Sequence, residues 1–213
     1  MKKLLGCLLC VMLLAFFAAP AMATPVYNGT YVDMYLKMFP SGLDEEKVFL
    51  DDGLASEIIG HVGSQADERL VTFSSTTDTL KAASGFATIE AKDGYLNDIT
   101  ITAPGYWFED LIFSVLPQSA TYFSVTATDK SGGTNTYGTW TTLDDWKGLN
   151  NILVLSDAGF LMQSVTLNSL DGIEQLKHTQ ISGLTPVPEP ATILLLGSGL
   201  IGLAGFGRKK FKK

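Results

Sequence analysis

Between residues 95 and 170 the chain repeatedly alternates apolar and polar side chains with a period of two. Ile99, Ile101 and Ala103 share one face of their segment, with Thr100 and Thr102 on the other. Leu111, Phe113 and Val115 form a second set, and Phe123, Val125 and Ala127 a third. Leu161, Gln163, Val165 and Leu167 form a fourth, interrupted by the polar Gln163. Successive side chains point to opposite faces in a strand, so each set predicts a half-buried β-strand. Turn signals separate the sets: Asp93-Gly94, Pro104-Gly105, Ser131-Gly132-Gly133, Asp157-Ala158-Gly159 and Asp171-Gly172. Short strands with such punctuation predict an all-β fold, an antiparallel β-sandwich. No long amphipathic helix lies between strands, so nothing supports a βαβ pattern. Short helical turns are expected at 43–50 and 142–147.

The two ends bound the folded part. Lys2 and Lys3 precede an apolar run over 4–19, and Ala21-Met22-Ala23 follows. A charged start, an apolar run and a small-x-small site make a secretory signal peptide, with cleavage expected between Ala23 and Thr24. Such a leader implies the Sec translocon as a partner. Both cysteines, Cys7 and Cys10, lie inside it. The mature chain then has no disulfide, no thiol nucleophile and no thiolate metal site. An exported chain of this kind depends on core packing alone, which suits a bacterial envelope or secreted protein.

At the other end, 191–206 is a run of sixteen residues without a charge. As a helix it spans roughly 24 Å, short against a hydrocarbon core of about 30 Å. Arg208-Lys209-Lys210-Phe211-Lys212-Lys213 follows, five positive charges in six residues. The positive-inside rule places this stop in the cytoplasm and the body outside the membrane. That body, 24–185, holds eight Lys/Arg and twenty-one Asp/Glu, a net charge of −13. Such an acidic domain does not bind nucleic acid by neutralising phosphates.

Pro188-Glu189-Pro190 sits between body and apolar run. Val187 and Glu189 each precede a proline, which disfavours helix and favours an extended chain. The stretch 185–189 is therefore expected to be extended and unpaired, with Pro190 opening the helix that follows. Val187-Pro188-Glu189-Pro190-Ala191-Thr192, a short Gly-rich apolar helix and Arg208-Lys209-Lys210 together resemble the PEP-CTERM sorting signal of exopolysaccharide-producing Gram-negative bacteria. The resemblance covers about the last 27 residues and rests on three elements in the right order. It implies recognition by an exosortase, a membrane-embedded cysteine transpeptidase that cleaves near the motif. The glycines 197, 199, 202, 205 and 207 would each cost about 1 kcal/mol in a soluble helix. In a membrane they permit close helix approach, as a temporary anchor docked on a processing enzyme would need. The expected organisation is a signal peptide (1–23), an extracytoplasmic β-sandwich (24–181), a linker with the PEP motif (182–190), a transmembrane helix (191–207) and a basic cytoplasmic tail (208–213). The segment from Asn150 to Gly183 loosely resembles the closing strands of jelly-roll-like bodies that often precede such tails.

Chemistry is sparse in the body. His61 and His178 are the two histidines, and no G-x-S-x-G elbow accompanies them. Each reads as a structural or surface histidine, and two histidines without cysteine make a poor zinc site. The adjacent acids at 44–46, 51–52, 67–68, 109–110 and 144–145 would point to opposite faces of a strand, which suits no paired-carboxylate catalyst. Asp51, Asp52, Asp144 and Asp145 lie in oxygen-rich loops and are weak calcium candidates; no other cofactor is implied. Tyr106, Trp107, Trp140 and Trp146 are candidate glycan contacts, with core packing as the competing use of such rings. The sequence thus points to a non-enzymatic, exosortase-sorted protein of the envelope, outer surface or extracellular matrix. It is expected to associate with exopolysaccharide or biofilm and to bind glycan. A purely structural or adhesive surface protein and a polysaccharide hydrolase are the alternatives.

Overall fold

The computed structural model describes residues 27–28, 32–36, 44–51, 53–63, 69–83, 85–117, 123–137, 149–156, 160–188 and 198. The signal peptide with its Ala23–Thr24 cleavage point, the turn expected at 142–147 and, apart from Ser198, the apolar run and basic tail lie outside these residues. Among the described residues no helix is long and apolar enough to cross a membrane.

The described elements are strands. β1 (Tyr27–Asn28), β2 (Val32–Leu36), β3 (Glu46–Leu50), β4 (Gly53–Ala55), β5 (Glu57–Val62) and β6 (Leu70–Ser74) come first. β7 (Leu80–Ala83), β8 (Gly85–Phe86), β9 (Thr88–Ala91), β10 (Leu96–Thr102), β11 (Tyr106–Trp107) and β12 (Asp110–Pro117) follow. β13 (Phe123–Asp129), β14 (Thr134–Tyr137), β15 (Asn150–Ser156), β16 (Met162–Ser182) and β17 (Thr185–Pro186) end the series. The all-β expectation holds.

β16, at 21 residues, organises the rest. Along one edge it pairs in turn with β10, β9 and β3. Along the other it pairs with β13 and then β12. From β10 the antiparallel ladder continues through β6 and β5 to β3, which returns to β16 and closes a circuit. A wing runs outward from β12 through β15 and β2 to β1. Two irregularities let one strand serve so many partners. Gly172 has a φ of 78° and lies where the β10 ladder shifts register; a Cβ there would stand 2.8 Å from Cβ of Tyr95. His178 has a φ of 55°. Between the Ile112–Gln180 and Ser114–Lys177 pairs, Phe113 alone opposes His178 and Thr179, a β-bulge.

The period-two faces become the core. Ile99, Ile101 and Ala103 are buried together, as are Phe123, Val125 and Ala127. In β12 the alternation understates burial, because Ile112 and Ser114 are buried as well as Leu111, Phe113 and Val115. In β16 the pattern shifts at its start: Met162 is buried and Gln163 exposed. The ladder to β13 skips a residue between Thr128 and Asp129 and so turns Met162 inward. The helical turn expected at 43–50 is replaced over its second half by β3. Pairing with β5, β8 and β16 buries Val48 and Leu50, a tertiary gain that local helical preference does not match.

Candidate functional site

The best-defined functional region is the point where the acidic body hands over to the PEP segment. β16 ends at Ser182, one residue past the expected end of the domain. Ser182 is held twice: its carbonyl accepts from Glu109 N–H at 3.1 Å, and its hydroxyl donates to Asp110 Oδ2 at 2.7 Å. Gly183 then turns the chain with a φ of 63°, and Leu184 packs against the core.

Thr185 and Pro186 do not run free. They form β17 and pair antiparallel with β11, Pro186 opposite Tyr106 and Thr185 opposite Trp107. Val187 N–H adds a third rung to Gly105 C=O at 2.9 Å. This corrects the expectation of an unpaired linker. Prolines do keep the segment extended, but an extended chain is also a ready edge strand, and a two-residue ladder tolerates Pro there. The receiving edge is built by Pro104-Gly105. Tyr106 N–H bonds Ala103 C=O at 2.9 Å and Gly105 has a φ of 80°, a type II turn with Pro and Gly at their favoured positions. Phe108, fully buried, anchors β11 to Met162 through two backbone bonds of 2.9 and 2.8 Å.

Two of the four aromatic candidates lie in this ladder. Tyr106 and Trp107 are half-buried and carry the sorting strand on their backbone. Lys130 Nζ stands 5.9 Å from the Trp107 ring centroid, a cation–π contact that covers one face. Trp140 and Trp146 lie outside the described residues, as do Asp52, Asp144 and Asp145. Asp51 is exposed, 3.5 Å from His61 Nε2. Among the described residues no three His, Cys, Asp or Glu side chains converge on a metal-sized site. His178 stacks on Phe86 at 5.0 Å and shares a pocket of about 240 Å³ with Ser114. Ser114 donates its proton to Asn151 Oδ1 at 2.6 Å, so its hydroxyl is committed to an amide.

Asp110 was not singled out by sequence beyond an acidic pair, yet it is the charged group buried at this junction. Burial pushes its carboxyl up, and the neighbouring Glu109 and Glu45 add to that; the Ser182 hydroxyl and Ser156 backbone oppose it without winning. Its Oδ1 is buried with no hydrogen-bond partner among the described residues, a defect that a neutral carboxyl bears better than an anion. A folded pKa above the unfolded one means stability is gained as pH falls through the folded value and is fully present below the unfolded one. Asp110→Asn is therefore expected to stabilise the protein near neutral pH. On the order of 1 kcal/mol raises the melting point by about 2–4 °C. The advantage should shrink as pH drops to about 4, near the ordinary carboxyl range. Thermal melts across that range check it; an equal offset at every pH would remove the charge as the cause.

The segment leaving this junction matches the family model of the PEP-CTERM protein-sorting motif over residues 186–209. The chain carries a PEP-CTERM sorting signal. Val187 and Pro188, the first expected motif residues, are described and exposed at the end of the β17 clip. Glu189, Pro190, Arg208, Lys209 and Lys210 lie outside the described residues, and Lys210 falls just past the matched span. The PEP-CTERM signal makes this an exported protein, sorted by exosortase with membrane-anchored transit to the cell surface. No curated protein matches the chain. Sequence patterns missed Gly105, Asp110, Ser182 and Gly183 as parts of the junction. The Pro-Gly turn was the one visible hint, because the other contacts join residues some seventy positions apart.

Proposed function

We propose that this protein is a non-catalytic component of the envelope or extracellular matrix, exported through Sec on the leader 1–23 and handed to an exosortase. There it associates with exopolysaccharide through glycan binding by its β-domain. The observation that carries the reading is the PEP-CTERM signal joined to an acidic all-β domain with almost no spacer. Two further features favour binding over catalysis. Ser114 beside His178 gives its proton to Asn151 rather than to a base, and the buried Asp110 is engaged by Ser182. The proposal calls for no cofactor, and for calcium at none of Asp51, Asp52, Asp144 and Asp145. The apolar segment 191–207 serves as a temporary anchor and 208–213 as its cytoplasmic stop.

Mass spectrometry of the mature C-terminus in an exosortase-bearing host tests the sorting step. Wild-type protein is expected to end upstream of Lys213. Exosortase deletion, or Pro188→Ala with Glu189→Ala and Pro190→Ala, is expected to leave Lys213 in place. An intact Lys213 in the wild type would show a permanent anchor instead.

A further inference from the structure

A second polar site lies where β16 is flanked by β10 and β13. Their registers place Asp98, Asn168 and Ser124 in one row across the three strands, with neighbouring strands about 4.8 Å apart. The adjoining row pairs Phe123 with Ser169. These residues, with Asn97 and Leu170, line a pocket of about 310 Å³, the small end of the range for ligand pockets.

The lining defines the class of ligand. No Lys, Arg or His lines the pocket, so it offers no charge to a phosphate, sulfate or carboxylate. Its one carboxylate is already taken up. Asp98 accepts from the hydroxyl of Ser75 at 2.6 Å and from Thr76 N–H and its hydroxyl at 2.9 Å each. Thr77 donates to it through its N–H and its hydroxyl. Burial raises the Asp98 pKa, but the donors from Ser75, Thr77 and Thr76 outweigh it and bring the group down to about 2. A cation would have to displace these donors. What remains is neutral: the amide of Asn168, the hydroxyl of Ser124 and the carbonyl end of the Asn97 amide, whose Nδ2 donates to Asp78 Oδ1 at 3.2 Å, beside the exposed Leu170 and above the buried Phe123 and Ser169. Ser169 is 8 % exposed, and its Oγ is buried with no hydrogen-bond partner among the described residues. That oxygen lies behind the pocket wall, on the core side of the strand with Phe123, and out of reach of a ligand. Amides and hydroxyls beside apolar surface suit a ring that carries hydroxyls at its edge and C–H groups on its face.

We infer that this pocket, formed by Asn97, Phe123, Ser124, Asn168, Ser169 and Leu170, binds a neutral saccharide unit; the inference rests on the reading of the protein as exopolysaccharide-associated. Asn168 and Ser124 contact ring hydroxyls from the exposed side, and Leu170 contacts the C–H face. The pocket, rather than the Tyr106–Trp107 pair that holds the sorting strand, is the glycan contact.

The test is an NMR titration of the full chain in detergent micelles with maltose, cellobiose, lactose and chitobiose, and with sodium sulfate and calcium chloride as controls. At least one disaccharide is expected to shift resonances around 97–98, 123–124 and 168–170, with a Kd of about 1 mM. Asn168→Ala should weaken it about tenfold with an unchanged melting point, and Ser124→Ala should weaken it less. No saturable shift with any of the four sugars, shifts with sulfate alone, or unchanged binding in both variants would overturn the pocket. The same wild type and Asn168→Ala, expressed in the host, separate the two readings. If both stay equally in the exopolysaccharide fraction, the pocket assignment falls and the association stands. If the wild type is absent from that fraction, the association falls, and the titration alone decides the pocket.

Discussion

Phe113→Ala lowers the free energy of unfolding by about 3–5 kcal/mol, the range for a fully buried phenylalanine. Phe113 is completely inaccessible to solvent. It sits in β12 between β15, where it pairs with Ile152, and the bulge of β16 at His178 and Thr179. Both edges of β12 are hydrogen-bonded and both faces are buried. The backbone around the lost ring therefore has little freedom to close the cavity. Against a total of about 5–15 kcal/mol for a domain, a loss of this size removes a fifth of the stability or more. Urea unfolding followed by circular dichroism measures it. A lower midpoint at constant slope is expected, and a loss under about 1 kcal/mol would show that the strands collapse onto the cavity.

Gly183→Ala is expected to cost about 2–4 kcal/mol, concentrated at the exit to the sorting signal. Two effects add. A φ of 63° costs an L-residue about 1–2 kcal/mol. A Cβ would also stand 2.5 Å from Glu109 Cγ and 2.6 Å from its Cβ. The Cγ can swing away; the Cβ is fixed, because Glu109 N–H bonds Ser182 C=O. The easier relief is to release the chain after Ser182, which unzips β17 from β11. Hydrogen exchange reads this directly: Val187 N–H loses protection while the amides of β10 and β12 keep theirs. Gly183→Asn separates the two causes, since Asn tolerates the left-handed region but carries the same Cβ. Full protection at Val187 in both variants would remove the turn as the element that holds the sorting strand in place.

The strands around Ile99, Leu111 and Phe123 were legible because period-two alternation is a local signal of which face is buried. The PEP-CTERM signal was legible for a related reason: residues in contiguous order carry it, and no fold is needed to assemble it. Alternation does not report partners. It could not show that Ile112 and Ser114 are also buried, since their burial comes from strands and layers remote in sequence. Nor could it tell a short run such as Glu46–Leu50 from a helical turn, a choice made by β5, β8 and β16 far along the chain. The saccharide pocket needed three strand registers, and the clip on Thr185–Pro186 needed a turn some eighty residues earlier. By itself, then, the sequence determined an exported all-β chain with a sorting address. The tertiary structure decided which strands meet and how the address is fastened to the body, because backbone pairing joins residues by register and not by type.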